Sequence, residues 1–344
     1  MQISGELLDN RIIIKKPKDV GRLYNKSHFG NPISENKLEL NLIEGVFLLE
    51  AGKIKIFENK KELDFEKLTK IAAKVILEFE IKYQVFKDLR NRGHAIKLYE
   101  KEKNINFFNY NQKFYVSTFS ERDLLNIDET EALIKRVEKN NKELWVGIID
   151  EEGDITYYKV SMLNIKGKNR EHVFKKSNGV LLKDRVVIFD KKTSKNLHEK
   201  EFFGKPFGEG LQLSIAEAMY LQEKCIIDIQ TTDDEKLSKE KLLIIVKKLQ
   251  PDILLRLGVF KDLKKRGLLV KTGFKFGAHF RAYTKKPVDT HAEYLVHVVK
   301  KGFSSTWSEI SRAVRLAHSV NKDIVFARVD NGKIDYIKFG RLRP

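Results

Sequence analysis

Residues 273–329 read GFKFGAHFRAY, TKKPVDT, HAEYLVHVVKKGFSS, TWSEISRAVRLAHSV and NKDIVFARV in turn. Thr306 with Glu309 has the spacing of a helix capping box, and Trp307, Ile310, Val314 and Ala317 recur at helical period behind it. The fourth run is therefore expected to be a helix with a buried stripe. Arg312 and Arg315 fall on another face, between Ser308 and Ser319. The apolar runs on either side read as strands. GFKFGAHFRAY is expected to be a strand ending at Tyr283, with His291 opening the next and Lys322 leading DIVFARV.

Those three residues sit at strand ends, and strand ends can converge on one edge of a sheet. RNA carries its own nucleophile, the 2′-hydroxyl. A site that takes one proton, returns another and stabilises the charged phosphorane can cut the chain without a metal. A tyrosine, a histidine and a lysine suffice. Taken singly, each has an ordinary structural reading: an aromatic cap on the core, a satisfied polar residue, a solvated edge charge.

Working outward, the chain repeats itself. LELNLIEGVFLLEAGKIKI (38–56) aligns without a gap on LQLSIAEAMYLQEKCIIDI (211–229), and VFKDLRNRG (85–93) on VFKDLKKRG (259–267). NKELWVGIIDEEGDITYYKV (141–160) aligns on NKDIVFARVDNGKIDYIKF (321–339). Three echoes in one order at offsets of 173, 174 and 180 mark an internal duplication. Two copies are too few for a solenoid, so tandem pseudo-symmetric halves are expected.

Mixed strand and helix order makes the class α/β, of mixed α+β type. Each half should hold an N-terminal αβ subdomain and a C-terminal nuclease-like αβα subdomain with a small mixed sheet. The expected divisions are 1–165 (rear part about 83–165), a polar linker at 166–179, and 180–344 (rear part about 253–344). Asn41 with Glu44 and Ser214 with Glu217 are expected to cap equivalent helices.

The net charge is +18, and residues 251–344 carry 20 Lys+Arg against 8 Asp+Glu. A basic field concentrated around the candidate site suits a polyanion, although a solvated basic surface would look the same. The single cysteine, Cys225, excludes an internal disulfide. No apolar run approaches the roughly 20 residues of a bilayer span, and MQISGELLDN lacks a secretory pattern. A soluble, cytoplasmic protein without membrane contact is expected.

The stretch resembles the catalytic domain of the archaeal tRNA-splicing endonucleases, in their two-repeat homodimeric class. The resemblance rests on Phe280-Arg281-Ala282-Tyr283, His291-Ala292-Glu293-Tyr294-Leu295-Val296, Trp307 through Val320, and Lys322. It implies that Tyr283 is the general base on the 2′-hydroxyl, His291 the general acid for the leaving oxygen, and Lys322 the transition-state cation. It implies no cofactor and no metal. The substrate it implies is precursor tRNA carrying a bulge–helix–bulge, not DNA, with 2′,3′-cyclic phosphate and 5′-hydroxyl products. Arg315 would grip a flipped-out base, with Arg312, Arg281 and Arg341 as further contacts.

The acidic turn Asp150, Glu151, Glu152 and Asp154 would dock into a basic pocket of a second chain in a homodimer. Two features depart from the family pattern: the 284–290 loop is short, and Ala292 stands where serine is common. The first half should be inactive, with Asn111 opposite His291, Lys142 opposite Lys322 and Tyr99 echoing Tyr283.

Two rival functions stay open. A metal-dependent nuclease would need clustered acids; Asp289 and Glu293 flank His291, but no acid-x-Lys pair completes such a site. A non-catalytic RNA-binding subunit would keep the fold without the chemistry.

Overall fold

The computed structural model describes residues 2–102, 104–286 and 291–344. Each repeat opens with a six-stranded sheet of the same order. In the first the order is Asn31–Ser34, Lys37–Leu40, Arg11–Ile14, Ile3–Leu8, Ile54–Glu58, Lys61–Leu63. In the second it is Lys205–Phe207, Gly210–Ser214, Arg185–Ile188, Ser177–Leu182, Ile227–Gln230, Lys236–Leu237. In both, the one parallel pair spans the capped helix, Leu42–Glu50 or Ile215–Glu223. Both capping boxes form as the spacing requires: each cap side chain accepts from the third helical N–H, and the glutamate returns to the cap backbone.

The rear halves share one ten-stranded sheet. Its order is Leu269–Thr272, Phe280–Tyr283, Tyr294–Lys300, Asp323–Asp330, Lys333–Leu342, Ile155–Met162, Glu143–Ile149, Phe114–Ser120, Phe107–Asn109, Ile96–Leu98. The copies meet where Ile155–Met162 runs antiparallel to Lys333–Leu342. There Val160 faces Phe339, and the repeat alignment makes these two residues equivalent. A second crossing pairs Leu124–Asn126 with Ser304–Thr306 and centres on Leu125 opposite Ser305, residues 180 apart. Both self-matching pairs lie on an approximate two-fold axis inside one chain.

Period-two alternation explains the seam. Tyr158, Val160, Ile337 and Phe339 turn one face of the junction into a core shared with Leu144, Ile148, Trp307 and Phe326. Arg328, only 5% exposed, is held at the seam by Asp128 of the other repeat and by Asp330 at 3.3 Å. Its guanidinium helps hold the Asp128 carboxyl below the usual carboxylate range, against the opposing effect of burial.

Three expectations need correction. GFKFGAHFRAY is not one strand: Phe274–Phe276 is a 3₁₀ turn, Gly277 sits at φ +62°, and only Phe280–Tyr283 pairs as strand. A left-handed residue breaks the alternation that the apolar pattern suggested. His291 does not open its strand, which begins at Tyr294. Thr306 caps its helix, but Glu309 turns to the Ser305 hydroxyl (2.6 Å), so only half of the expected box forms.

Residues 163–176 carry no regular element, yet they are pinned to the second rear subdomain. The Gly167 N–H donates to Arg266 (2.9 Å), that of Asn169 to Gly267 (2.9 Å) and that of Lys168 to Thr284 (3.1 Å). A Cβ on Gly167 would lie 2.1 Å from the Gly267 oxygen, so the close approach requires glycine. No helix among the described residues is long and apolar enough to cross a membrane.

Candidate active site

Strand register brings the candidate residues to one edge. Strand Phe280–Tyr283 runs antiparallel to Tyr294–Lys300, which runs parallel to Asp323–Asp330. Ala282, Tyr294 and Asp323 therefore lie in one row. One step further, Tyr283, Glu293 and Lys322 form the next row at the sheet edge. Two inter-strand spacings separate the outer positions by about 10 Å of backbone, which a tyrosine and a lysine side chain can span from both sides. Alternation directs this row to the face of Leu295 and Ile324, the face covered by helix Trp307–Ser319.

Tyr283 is 7% exposed and packs with Leu269, Ala292 and Phe202, the last from the front subdomain. Ala292 in that cluster ties the exposed His291, one residue away, to the tyrosine. Lys322 is half-buried: its ammonium donates to the Val320 carbonyl (3.0 Å) and lies 5.4 Å from the centre of the Phe276 ring. Its neighbour Asp323 pairs with Lys338 at 2.5 Å, leaving the Lys322 charge beside the row.

Sequence reasoning noticed Glu293 only as a candidate metal ligand. In the structure its carboxylate accepts from the Thr284 N–H (2.9 Å) and hydroxyl (2.5 Å). It thereby closes the neck of the loop that starts after Tyr283 and returns at His291. The signal was available: a threonine and a glutamate bracket the loop, directly behind the two catalytic candidates. Asp289, the other acid beside His291, lies outside the described residues. Among the described residues no cluster of three or more His, Cys, Asp or Glu side chains could hold a metal ion.

The four arginines separate into groups. Arg281 shares the site: its guanidinium carbon is 5.9 Å from the Tyr283 ring centre, and its buried Nε has no hydrogen-bond partner among the described residues. Arg315 and Arg341 are exposed and lie near the Tyr158 phenol, at the seam between repeats. Burial pushes that phenol up, while the nearby Ser311 hydroxyl and these two cations pull it back. Arg312 is exposed on the helix with no ion pair among the described residues.

The acidic turn is a hairpin tip whose members differ in role. The Asp150 carboxylate accepts from the Glu152 (3.1 Å) and Asp154 (2.9 Å) N–H groups, so it builds the turn. Glu151 pairs with Arg122 of the same repeat. Glu152 and Asp154 are exposed without a cation among the described residues.

In the first repeat, Phe107 faces Val116 as Phe280 faces Val296. That register places Tyr110, not Tyr99, at the position of Tyr283. The error arose because a loop of different length separates the echoes. Tyr110 stacks on His28 at 4.0 Å, as Tyr283 packs on Phe202, the residue 174 positions after His28. Only three residues separate Tyr110 from Phe114, against ten between Tyr283 and Tyr294. The first copy keeps a tyrosine and Lys142 but lacks the loop that carries a histidine.

Comparison with known proteins agrees with this duplicated plan. The family described as tRNA intron endonuclease, catalytic C-terminal domain, matches residues 79–157 and 253–336. The family described as tRNA intron endonuclease, N-terminal domain, matches residues 3–69 and 177–243. A tRNA-splicing endonuclease of Methanococcoides burtonii is 36% identical, covering 98% of this chain and 99% of that protein. One from Methanosarcina barkeri is 32% identical over the same shares. A third, from Methanothermobacter thermautotrophicus, is 35% identical but covers 48% of this chain and 98% of itself, the length of a single repeat.

Proposed function

The chain belongs to the tRNA intron endonuclease family, and we propose that it excises introns from precursor tRNA at bulge–helix–bulge motifs without metal or cofactor. In this reading residues 180–344 are the catalytic repeat and 1–165 the structural one. Tyr283 removes the proton of the 2′-hydroxyl, whose oxygen attacks the adjacent phosphorus. His291 protonates the departing 5′-oxygen, and Lys322 stabilises the phosphorane charge between them. A 2′,3′-cyclic phosphate and a 5′-hydroxyl result. Arg281 reaches the phosphate beside Tyr283, and Arg315, Arg312 and Arg341 hold the bulge.

The observation that carries the reading is the shared sheet edge of Tyr283, the His291 loop and Lys322. The same edge in the other repeat has lost the loop. Two chains assemble in this reading, with Glu152 and Asp154 as the acids free to meet a basic pocket of the partner and Asp150 holding their turn. Opposite charges would set the orientation of that contact.

The test is cleavage of a bulge–helix–bulge RNA in EDTA by the wild type and by His291→Ala. Metal-free cutting to a cyclic phosphate, lost in the variant, is expected. Tight binding without cutting would make the protein a non-catalytic RNA-binding subunit, and cutting only with magnesium would overturn the mechanism.

A further inference from the structure

A cleft of about 710 Å³ opens beside Tyr283, between the front and rear subdomains of the second repeat. Its rear wall carries Tyr283, Arg281 and Phe274, and its front wall Arg185, Lys205 and Phe202. Phe274 belongs to the 3₁₀ turn and is 90% exposed, an aromatic ring standing free in solvent at the lip. Lys205 is exposed and has no ion pair among the described residues.

The first repeat contains a matching cleft of about 500 Å³, with Arg11, Asn41 and Leu98 where the second has Arg185, Ser214 and Thr272. Its chemistry differs at three positions. At the offset of 174, Glu100 stands for Phe274 and Asn31 for Lys205, and strand register puts Phe108 in place of Arg281. Glu100 lies 3.7 Å from Arg11, and in the second cleft Arg185 meets its neighbour Asp184 at 3.1 Å, so the equivalent arginines are both paired and the difference lies in the other positions. Among the described residues, an exposed ring beside two cations without an ion pair, Lys205 and Arg281, occurs only in the cleft of the copy that has the histidine loop.

We propose that this cleft holds the nucleotide that donates the attacking 2′-hydroxyl, its base stacked on Phe274 and the phosphate on its 5′ side met by Lys205 and Arg281. The inference rests on the functional reading above, in which Tyr283 contacts that hydroxyl. Placing the largely buried Tyr283 in the cleft wall puts the hydroxyl inside the cleft and leaves its base at the lip, beside Phe274. Stacking on a solvent-facing ring beside a backbone-tracking cation is a general means of gripping an unpaired base of any identity. The cleft thus determines which nucleotide is presented without reading its sequence.

The test uses the full chain with a bulge–helix–bulge RNA that carries 2-aminopurine at the nucleotide 5′ of the cut. Binding is followed in the His291→Ala background and cleavage in the otherwise wild-type protein. Phe274→Ala is expected to weaken binding about tenfold and to raise the bound-state fluorescence, because the probe base loses its stacking partner. Lys205→Asn should weaken binding about threefold and reduce the salt dependence by about one ion. Glu100→Ala, in the other cleft, should change neither. Both key residues are exposed, so an unchanged melting temperature shows that the fold is intact.

Wild-type binding, cutting and fluorescence, all within twofold in Phe274→Ala and Lys205→Asn, would overturn the cleft assignment while leaving the cleavage reading in place. A wild type that binds but does not cut would overturn the cleavage reading alone, since the binding and fluorescence of Phe274→Ala still decide the cleft. A wild type that neither binds nor cuts this RNA would remove both.

Discussion

The two repeats keep the same joint between front and rear subdomains but not the same edge. In the first, Lys97 donates to the Gly30 carbonyl (2.7 Å) and the Gly30 N–H to buried Glu44 (2.8 Å). In the second, Lys271 donates to the Gly204 carbonyl and the Gly204 N–H to buried Glu217 (2.9 Å). Burial pushes both ammonium groups below their ordinary range, and Glu44 or Glu217 draws each back. A buried lysine or glutamate that lost its partner would be costly, so neither member of such a joint can drift alone. Among the described residues, neither edge loop holds a buried lysine–glutamate joint of this kind. One copy could shed the loop after its tyrosine and remain folded, while the other keeps it.

The largest effect should come from exchanging what the edges carry. His291→Ala should lower single-turnover cleavage by about 10²–10⁴-fold, the ordinary contribution of a general acid. Asn111→His should confer no activity on an otherwise His291→Ala chain, because Tyr110 lies under His28 and the loop is absent. Measurable cutting by that double variant would break the comparison.

A second difference is structural. Lys264 and Glu201 form a 2.7 Å ion pair with side chains only 2% and 3% exposed. Their counterparts are Arg90 and Ser27, where the guanidinium donates to the Ser27 carbonyl (2.8 Å) and lies 3.5 Å over the Phe29 ring. Lys264→Met should destabilise by about 3–5 kcal/mol because Glu201 is left buried and unpaired. The double change Lys264→Arg with Glu201→Ser, which copies the first repeat, should recover most of it in denaturant unfolding.

A third difference should add acid sensitivity to the second repeat. The His279 Nδ1 accepts from the Val298 N–H (3.0 Å), and His297 lies beside it. The first repeat uses Asn106, which accepts from Thr118 (2.8 Å), and Ser117 at the position of His297. Burial pushes His297 down to about 4, helped by His279. Burial and then Arg256 lower His279, against the opposite pull of Asp252. Below the ordinary value of 6.5 an unfolded chain takes up protons that these folded imidazoles refuse. Stability should therefore fall as the pH drops from 6.5 toward about 4. His279→Asn with His297→Ser should flatten that slope in melting temperature against pH. An unchanged slope would assign the acid sensitivity to other groups.

The smallest expected effect concerns the acidic turn. Asp150→Ala removes two turn hydrogen bonds and should cost about 1–2 kcal/mol. Glu152→Lys with Asp154→Lys should leave stability unchanged but weaken self-association in sedimentation at low salt. Equal self-association by wild type and variant would remove this turn from the interface.

Much of this was legible in the linear chain because the signals are local. Capping at Asn41 and Ser214 depends on residues three apart, alternation in DIVFARV on neighbours, and the duplication on direct comparison of segments. Tyr283 and Lys322 could be singled out because strand ends can be read without knowing how the strands pair. His291 was singled out with them through the resemblance of its segment, not through a strand end that the structure keeps. The break at Gly277, the late start of the strand at Tyr294 and the match of Tyr110 to Tyr283 were not legible. Each depends on a turn or a register that several alignments satisfy equally well.

By itself, then, the sequence determined that the protein is two copies of one α/β unit, with basic charge and the candidate catalytic side chains concentrated in the second. Tertiary structure alone decided that the copies share a single sheet through Val160 and Phe339, and that Glu293 accepts from Thr284 beside Tyr283. It also decided that a front subdomain supplies Phe202 and Lys205 to the wall beside Tyr283. The physical reason is range: propensity and capping act within a few residues, whereas strand partners and cleft walls are chosen by burial between segments far apart in the chain.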